Sequence, residues 1–164
     1  MRLLATIVLA ASLAACGFQL RGPAELPFQT IYVPPGTSLS AELKRNLVKL
    51  SKTQVVDDPA KADAVLGFTR DVRDKVILSF NTQGRVQEYQ LRYRIEFRVT
   101  DPKGKVFMPT SEILLTRDLT YNDAQVLSEE SEEALLYRDM QSDMVQQLLR
   151  RMAASSKTAV APPQ

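Results

Sequence analysis

Residues 88–99 alternate strictly between polar and apolar side chains, and this pattern limits the possible folds more than any other feature of the sequence. The apolar positions are Tyr89, Leu91, Tyr93, Ile95, Phe97 and Val99, and the polar positions are Glu88, Gln90, Arg92, Arg94, Glu96 and Arg98. A period of two over this length predicts a β-strand with one buried face and one polar face. Other parts of the chain must therefore cover one side of a sheet with apolar side chains.

The sequence on each side of this strand predicts a three-stranded antiparallel meander. Residues 81–84 (NTQG) and 101–104 (DPKG) have turn residues at turn spacing, and Gly84 is free to adopt a positive φ. The preceding strand, over residues 63–80, is long enough to contain a bulge. The following strand begins at Val106, is interrupted at Pro109 and resumes to Tyr121, which indicates an edge position or a bulge.

In residues 63–80 most apolar side chains stand at even-numbered positions, and most charged and polar side chains stand at odd-numbered positions. The apolar set, expected to be buried, is Ala64, Leu66, Phe68, Val72, Val76, Leu78 and Phe80. The polar set, expected on the opposite face, is Asp71, Arg73, Lys75 and Ser79. Alternation of this kind assigns each side chain to one face of a strand.

Two amphipathic helices are predicted to cover the apolar face of the sheet. The first spans residues 38–51, has leucines at three- and four-residue spacing, and has Ser38 or Ser40 as its N-cap. The second is capped by Ser128. Its apolar ridge is formed by Leu136, Met140, Met144 and Leu148. A first strand is predicted at residues 30–33, and residues 55–56 are predicted to form a short extended piece.

These elements predict an α+β fold. It is a two-layer sandwich in which two helices pack on one face of a four-stranded mixed, mainly antiparallel sheet. One such domain is expected over residues 28–153, followed by a disordered tail at residues 154–164. The other face of the sheet stays polar and includes Arg92, Arg94 and Arg98.

The composition argues against an enzyme. The chain has no histidine and one cysteine, so it lacks the residues of a Ser-His-Asp or Cys-His nucleophile and of a His/Cys metal site. The acidic residues between Glu129 and Glu133 suit the positive end of a helix, and no EF-hand loop surrounds them. We therefore expect no catalytic residues, no metal and no cofactor. The 21 basic and 19 acidic residues give no reason to expect a nucleic-acid partner.

The start of the sequence predicts export and lipid attachment. Arg2 precedes an apolar run at residues 3–13, and small residues follow. The segment LAAC at residues 13–16 resembles the lipobox of bacterial lipoproteins. The resemblance implies that residues 1–15 are a signal peptide, that Cys16 receives a diacylglycerol and an N-acyl chain, and that residues 16–27 are a tether. A secretory signal with an incidental cysteine and a membrane-spanning helix are the alternatives. The run is shorter than the roughly twenty residues that a bilayer requires.

The mature sequence resembles the LptE family of lipopolysaccharide (LPS)-assembly lipoproteins. The resemblance rests on CGFQLRG at residues 16–22, EYQL at residues 88–91, the order of the elements, and the Asn122-Asp123 loop before a long final helix. It implies an outer-membrane lipoprotein that enters the lumen of the LPS-translocating barrel, LptD, from the periplasmic side, plugs it and binds LPS. The absence of Asp at position 17, next to the lipidated cysteine, also favours the outer membrane.

The resemblance also suggests where the two ligands bind. LPS has phosphates and acyl chains, so its site needs a cation beside an apolar side chain. Arg85, next to the 81–84 turn, and Phe80 are the candidates, and a solvated turn arginine is the alternative interpretation. Arg92, Arg94 and Arg98 are the candidates for the surface that faces the barrel. An envelope lipoprotein that scaffolds another complex, for peptidoglycan synthesis or transport, is the alternative function.

Overall fold

The computed structural model describes residues 25–121 and 126–158. In chain order the elements are strand β1 (Thr30–Tyr32), helix α1 (Ser38–Leu50), strand β2 (Gln54–Val56), a 3-10 turn (Pro59–Lys61), strands β3 (Ala64–Phe80), β4 (Val86–Thr100) and β5 (Val106–Thr120), and helix α2 (Val126–Thr158). Residues 1–24, which include the predicted signal peptide, Cys16 and most of the predicted tether, lie outside the described residues. So do the Asn122-Asp123 loop and residues 159–164.

The described strands form one mixed sheet in the order β2-β1-β3-β4-β5. β1 is parallel to β2 and β3, and β3, β4 and β5 form the predicted antiparallel meander. The described sheet has five strands, so the prediction of four is wrong. Residues 54–56 make the fifth strand because they pair with β1, with Val55 opposite Ile31.

The hydrophobic core lies between the two helices and one face of the sheet, as predicted. β4 supplies its centre, α1 contributes a leucine stripe, and α2 contributes its second half. At about 1.5 Å per helical residue and about 3.3 Å per strand residue, α2 and β4 are each about 50 Å long. The largest contributors from these elements are Leu91, Tyr93, Ile95, Phe97, Leu39, Leu43, Leu47, Met140, Met144 and Leu148.

A bulge in β3 changes which of its side chains face the helices. Up to Phe68 the apolar set faces the core, as predicted, and the register with β4 then shifts between Phe68 and Arg70. Directly opposed residues of an antiparallel pair share a face. Beyond the shift, the β3 residues opposite the buried side chains of β4 are Asp71, Arg73 and Lys75. The prediction that Asp71, Arg73 and Lys75 lie on the face away from the core is therefore wrong. The extra residue of a bulge moves the side chains that follow it to the other face of the strand.

The same shift moves apolar side chains of β3 to the sheet face that is turned away from the helices, which we call the outer face. Val72 pairs with Arg94, and Val76 pairs with Gln90. Val72 is exposed, although the sequence predicted that it is buried. The outer face therefore mixes charged and aliphatic side chains rather than being uniformly polar.

Both helices begin at positions that differ from the predicted caps. Thr37 caps α1, because its Oγ1 accepts a hydrogen bond from the Ser40 amide at 3.1 Å. α2 begins at Val126, so Ser128 lies inside the helix and is not its cap. α2 also continues to Thr158, so residues 154–158, which were predicted to belong to a disordered tail, are helical.

The turns before and after β4 have the same hydrogen-bond arrangement. In each, the side-chain oxygen of the first residue accepts from the amides of the third and fifth residues, at 2.7–3.0 Å. The fourth residue is a glycine with positive φ, as predicted for Gly84, where φ is 76°. The residues concerned are Asn81, Gln83 and Arg85 in one turn, and Asp101, Lys103 and Lys105 in the other.

β5 lies at the edge of the described sheet, as Pro109 indicates. Two of its backbone carbonyl groups accept hydrogen bonds from arginine side chains. Arg151 of α2 donates from Nη1 to the Glu112 carbonyl at 2.5 Å, and Arg117 donates from Nη1 to the Thr116 carbonyl at 2.9 Å. Part of the hydrogen-bonding capacity of this edge is therefore used within the domain.

Asp63 links the start of β3 to β1. Its Oδ2 accepts from the amides of Gln29 at 3.1 Å and Thr30 at 2.9 Å, and its own amide donates to Thr30 Oγ1 at 2.8 Å. The hydrogen bond from the Thr30 amide is the main reason that the pKa of the Asp63 carboxyl is below its usual value of 3.8. A carboxylate with a lowered folded-state pKa stabilises the fold above its unfolded pKa. That stabilisation is lost as the pH falls through the folded-state pKa.

We predict that Asp63→Asn lowers the melting temperature at pH 6, because the neutral amide accepts weaker hydrogen bonds than the carboxylate. The difference from the wild type should shrink as the pH falls from about 3.8 through the lower folded-state pKa, at which the folded wild-type carboxyl also becomes protonated. Thermal unfolding followed by circular dichroism at several pH values measures this. Asp57→Asn is the control, because Asp57 forms only an exposed ion pair with Lys44. A difference at Asp63 that does not depend on pH would contradict the prediction.

Candidate functional site: the hairpin tip and the outer sheet face

The β3–β4 turn brings together the two residues predicted to bind LPS. Phe80 ends β3 and pairs with Val86, and Arg85 directly precedes β4, so Phe80 and Arg85 flank the turn. The Phe80 side chain is 60% exposed, and Arg85 is also exposed. The Asn81 amide donates to the Arg85 carbonyl at 2.8 Å. The backbone of both candidates is therefore held by the end of the hairpin.

Two further apolar side chains extend the surface around Phe80. Ile77 and Leu78 are about half exposed, at 48% and 47%. A second register shift lies between Ile77 and Ser79 and leaves Leu78 without a partner in β4. Grouped, exposed apolar side chains mark a contact surface. We call Ile77, Leu78, Phe80 and the 81–85 turn the tip.

α2 contacts β3 on the approach to the tip through polar groups. Lys75 Nζ donates to Glu133 Oε2 at 2.5 Å and lies 4.7 Å from the centroid of the Tyr89 ring. The hydrogen bond to Glu133 raises the pKa of Lys75. The Tyr137 hydroxyl donates to the Asp74 carbonyl at 2.9 Å. Partly exposed ion pairs contribute only about 0–1 kcal/mol, whereas each buried apolar side chain elsewhere on α2 contributes about 1.5–3 kcal/mol. α2 is therefore held less firmly near the tip.

Arg73 is a second cation that the bulge places on the helix side. Its guanidinium lies 4.6 Å from the ring centroid of Tyr93 and 5.7 Å from that of Tyr137, and Nη2 donates to Gln141 Oε1 at 2.6 Å. Burial raises the pKa of Tyr93 to about 12, so its hydroxyl stays neutral beside this cation. The sequence analysis placed both Arg73 and Lys75 on the sheet face away from the helices. Only the unusual length of β3 indicated a bulge in the sequence.

Gln141 of α2 connects this helix to two other elements, α1 and β3. Its Oε1 accepts from Arg73 of β3 and from Ser38 Oγ of α1, both at 2.6 Å, and its Nε2 donates to Glu42 Oε2 of α1 at 2.5 Å. Gln141 is buried, whereas Ser38 and Arg73 are exposed and Glu42 is half-buried, so losing its amide would remove three hydrogen bonds made at the edge of the core. This residue therefore fixes where α1 and β3 meet the middle of α2.

Arg92, Arg94 and Arg98, predicted to face the barrel, do lie together on the outer face. Arg94 Nη1 donates to Glu112 Oε2 at 3.2 Å, and Arg92 Nε donates to Gln90 Oε1 at 3.3 Å. Arg98 lies across Gly67, where a Cβ atom would come within 3.8 Å of its side chain. Of these three arginines, Arg94 therefore has an acidic partner, Arg92 has a neutral one, and Arg98 lies over the glycine of the neighbouring strand.

The fold is an α+β sandwich with an exposed apolar tip and an outer face that mixes charged and aliphatic side chains. Over residues 25–121 and 126–158, no group of three or more acidic, histidine or cysteine side chains is arranged to hold a metal ion. In the same part of the chain, no helix has the length and apolarity needed to cross a bilayer. Cys16, the predicted lipidation site, lies outside the described residues.

Comparison with known proteins identifies the family. The family model of LptE, described as lipopolysaccharide-assembly, matches residues 28–152. The chain is 29% identical to the LPS-assembly lipoprotein LptE of Pectobacterium atrosepticum over 85% of its own length and 77% of that protein. It is 28% identical to the protein of the same name from Yersinia enterocolitica, over 85% and 69% of the two chains.

Two solved structures share the fold. Uncharacterized lipoprotein B from Nitrosomonas europaea is 39% identical, with a TM-score of 0.73, over 88% of this chain and 94% of that one. Rare lipoprotein B from Shewanella oneidensis is 26% identical, with a TM-score of 0.67, over 84% and 99% of the two chains. The chain belongs to the LptE family, which is non-enzymatic and acts in LPS assembly in the bacterial envelope. This confirms the family resemblance and the prediction that the protein is not an enzyme.

We predict that Gln141→Leu lowers the free energy of unfolding by about 1–3 kcal/mol, because Arg73, Ser38 and Glu42 lose a buried partner. Urea unfolding of the wild type and the variant measures the change. Gln147→Leu is the matched control: this half-buried glutamine on the same helix makes none of those hydrogen bonds. Equal losses in the two variants would show that the hydrogen bonds of Gln141 are not what stabilises this junction.

Proposed function

We propose that this chain is an outer-membrane lipoprotein that plugs the LPS-translocating barrel LptD, supports its assembly, and binds LPS during insertion into the outer leaflet. The observation that carries the proposal is the LptE family match over residues 28–152, which covers all five strands, α1 and most of α2. The matched proteins are named LPS-assembly lipoproteins. The geometry of the outer face and of the tip supplies the physical reasons for the two binding roles.

The anchor is a diacylglycerol and an N-acyl chain on Cys16. It is the only cysteine in the sequence and follows Leu-Ala-Ala, the lipobox pattern. More than one acyl chain is needed for durable attachment, because a single chain holds a protein to a membrane only reversibly. The proposed position is the periplasmic side of the outer membrane, with the sandwich inside the barrel lumen.

The outer face suits contact with the interior of a barrel. Barrel lumens are polar, so a plug needs a polar surface that does not leave charges without partners in a confined space. Cross-strand pairs meet this need: Arg94 with Glu112 at 3.2 Å and Arg70 with Glu96 at 3.3 Å. Val72, opposite Arg94, adds aliphatic surface that excludes water from such a contact.

The tip suits LPS, which combines phosphates with acyl chains. An arginine can donate two parallel hydrogen bonds to a phosphate, and Arg85 stands at the end of the hairpin. Phe80, Ile77 and Leu78 provide apolar surface beside it. The first turns of α2 contain Glu129 and Glu130 and no cation, which favours the hairpin, with Arg85, as the source of the cation for LPS phosphates.

Co-purification from outer membranes in mild detergent tests the barrel partnership. We expect the protein to be recovered with the barrel as a stable complex. Recovery of the lipoprotein without the barrel would contradict the proposal. Depletion of the protein should cause LPS to accumulate before it reaches the surface. Normal LPS export with an altered cell wall would instead favour a scaffold for another envelope complex.

We predict that Arg85→Glu weakens LPS capture by the purified protein by about tenfold or more, because a charged hydrogen bond is replaced by repulsion of phosphate. Binding of labelled LPS to the immobilised protein measures this. Arg138→Glu makes the same change of charge at an exposed position of α2 and should leave capture unchanged. Unchanged capture by the Arg85 variant would remove Arg85 from the site.

A further inference from the structure

The end of the sheet opposite the tip contains exposed cations that no ion pair accounts for. These side chains are Lys49, Lys52, Arg98, Lys103 and Lys105. Across residues 25–121 and 126–158, none of the five takes part in a salt bridge. We call this end, with Phe28 and the 101–105 turn, the entry end.

Contacts between several elements place these residues at one end of the molecule. The Phe28 and Phe107 rings pack with centroids 6.2 Å apart, so the start of the described chain meets the start of β5. Thr53 Oγ1 donates to the Phe28 carbonyl at 3.1 Å, which brings the residues after α1 to the same place. The 101–105 turn directly precedes β5.

The acids at the entry end are fewer than these five cations: they are Asp63, Asp101 and Glu25, which lines a groove with Lys52. Asp101 directs its carboxylate to the amides of Lys103 and Lys105, at 2.8 and 2.7 Å, so the lysine side chains remain exposed. Asp63 likewise bonds to backbone amides of the residues beside Phe28. The opposite end contains an acidic helix start, with Glu129, Glu130, Glu132 and Glu133 at the beginning of α2, although the tip itself has Arg85. Charge is therefore polarised along the length of the domain.

The entry end also presents apolar groups among its cations. Val106 is 56% exposed, directly after the 101–105 turn, and Val48 and Leu50 are exposed at the end of α1. A groove of about 370 Å³ lies beside Arg98, and Val106, Met108 and Pro109 contribute to its lining. Lysine and arginine with interspersed aliphatic side chains form the kind of surface that binds anionic lipid headgroups.

We propose that the entry end docks on the anionic phospholipid headgroups of the leaflet that holds the anchor. The inference rests on the proposed lipid attachment at Cys16. Eleven residues separate Cys16 from Phe28, so the tether spans about 40 Å at most, at about 3.3–3.6 Å per residue. The tether keeps the entry end at a high effective concentration near the headgroups. Cations then fix its orientation within the roughly 8 Å range of electrostatic attraction at physiological salt.

The test places equivalent reporters at the two turns of the lipidated full chain. Thr82→Cys and Pro102→Cys occupy the same position in turns with the same hydrogen bonds, and both sites are exposed. Acylation consumes Cys16, so each introduced thiol can be labelled alone with a fluorophore. Quenching by nitroxide lipids is measured in phosphatidylcholine vesicles with and without phosphatidylglycerol, in the absence of any barrel or LPS.

We expect quenching at position 102 in the vesicles that contain phosphatidylglycerol, its loss at high salt, and no quenching at position 82. Lys103→Glu with Lys105→Glu should reduce the ratio of docked to undocked protein by about twenty-five-fold or more, since each basic residue near an anionic surface contributes about fivefold. Arg45→Glu with Arg138→Glu makes the same change of charge at exposed positions outside the entry end and should leave quenching unchanged.

The inference would be overturned by equal quenching at the two turns, by quenching at 102 that does not require phosphatidylglycerol or that persists at high salt, or by unchanged quenching in the Lys103/Lys105 variant. The salt series needs no substitution, so a folding defect in that variant cannot hide the answer. A mass spectrum showing an unacylated Cys16 would also overturn it, because the tether would be absent. Failure to co-purify with the barrel refutes the proposed function but leaves this inference intact.

Discussion

The register shift between Phe68 and Arg70 determines how the two halves of the sandwich are held together. Before the shift, β3 contributes apolar side chains to the core, and the second half of α2 packs there through Met144 and Leu148. After the shift, charged side chains of β3 face the helix, so contact depends on hydrogen bonds and ring contacts. One extra residue therefore changes what β3 itself offers to α2 from apolar to charged side chains, while β4 remains apolar on the same face through Leu91 and Tyr93.

The meander, the amphipathic helices and the polar outer face could be predicted, because each depends on a period that is visible within one segment. The alternation from Tyr89 to Val99 gave the buried face of β4 correctly. The face of the sheet on which Arg73 lies could not be predicted. A bulge depends on how β3 pairs with β4 and not on the residues of β3 alone. The role of Gln141 depends on contacts with Ser38, 103 positions away, and no local pattern indicates it.

The candidate sites occupy opposite ends and one face of the same sheet, and their chemistry differs. The tip combines Phe80 with Arg85, which suits an amphiphile with a phosphate. The outer face pairs its own charges, as between Arg94 and Glu112, which suits a polar wall. The entry end presents Lys103 and Lys105 without ion-pair partners among the described residues. A rigid sheet about 50 Å long can therefore hold three different contacts at fixed separations.

The hydrogen bonds from arginine side chains to carbonyl groups of β5 affect whether copies of the protein associate when they are crowded together. A strand from a second molecule that approached this edge would have to displace Arg151 from Glu112 and Arg117 from Thr116, and Arg117 is also held by Asp143 at 2.6 Å. Exchange of strands between molecules, and the growth of fibres from it, is thereby disfavoured. This matters most on a membrane, where confinement to a plane brings neighbouring copies into frequent collision.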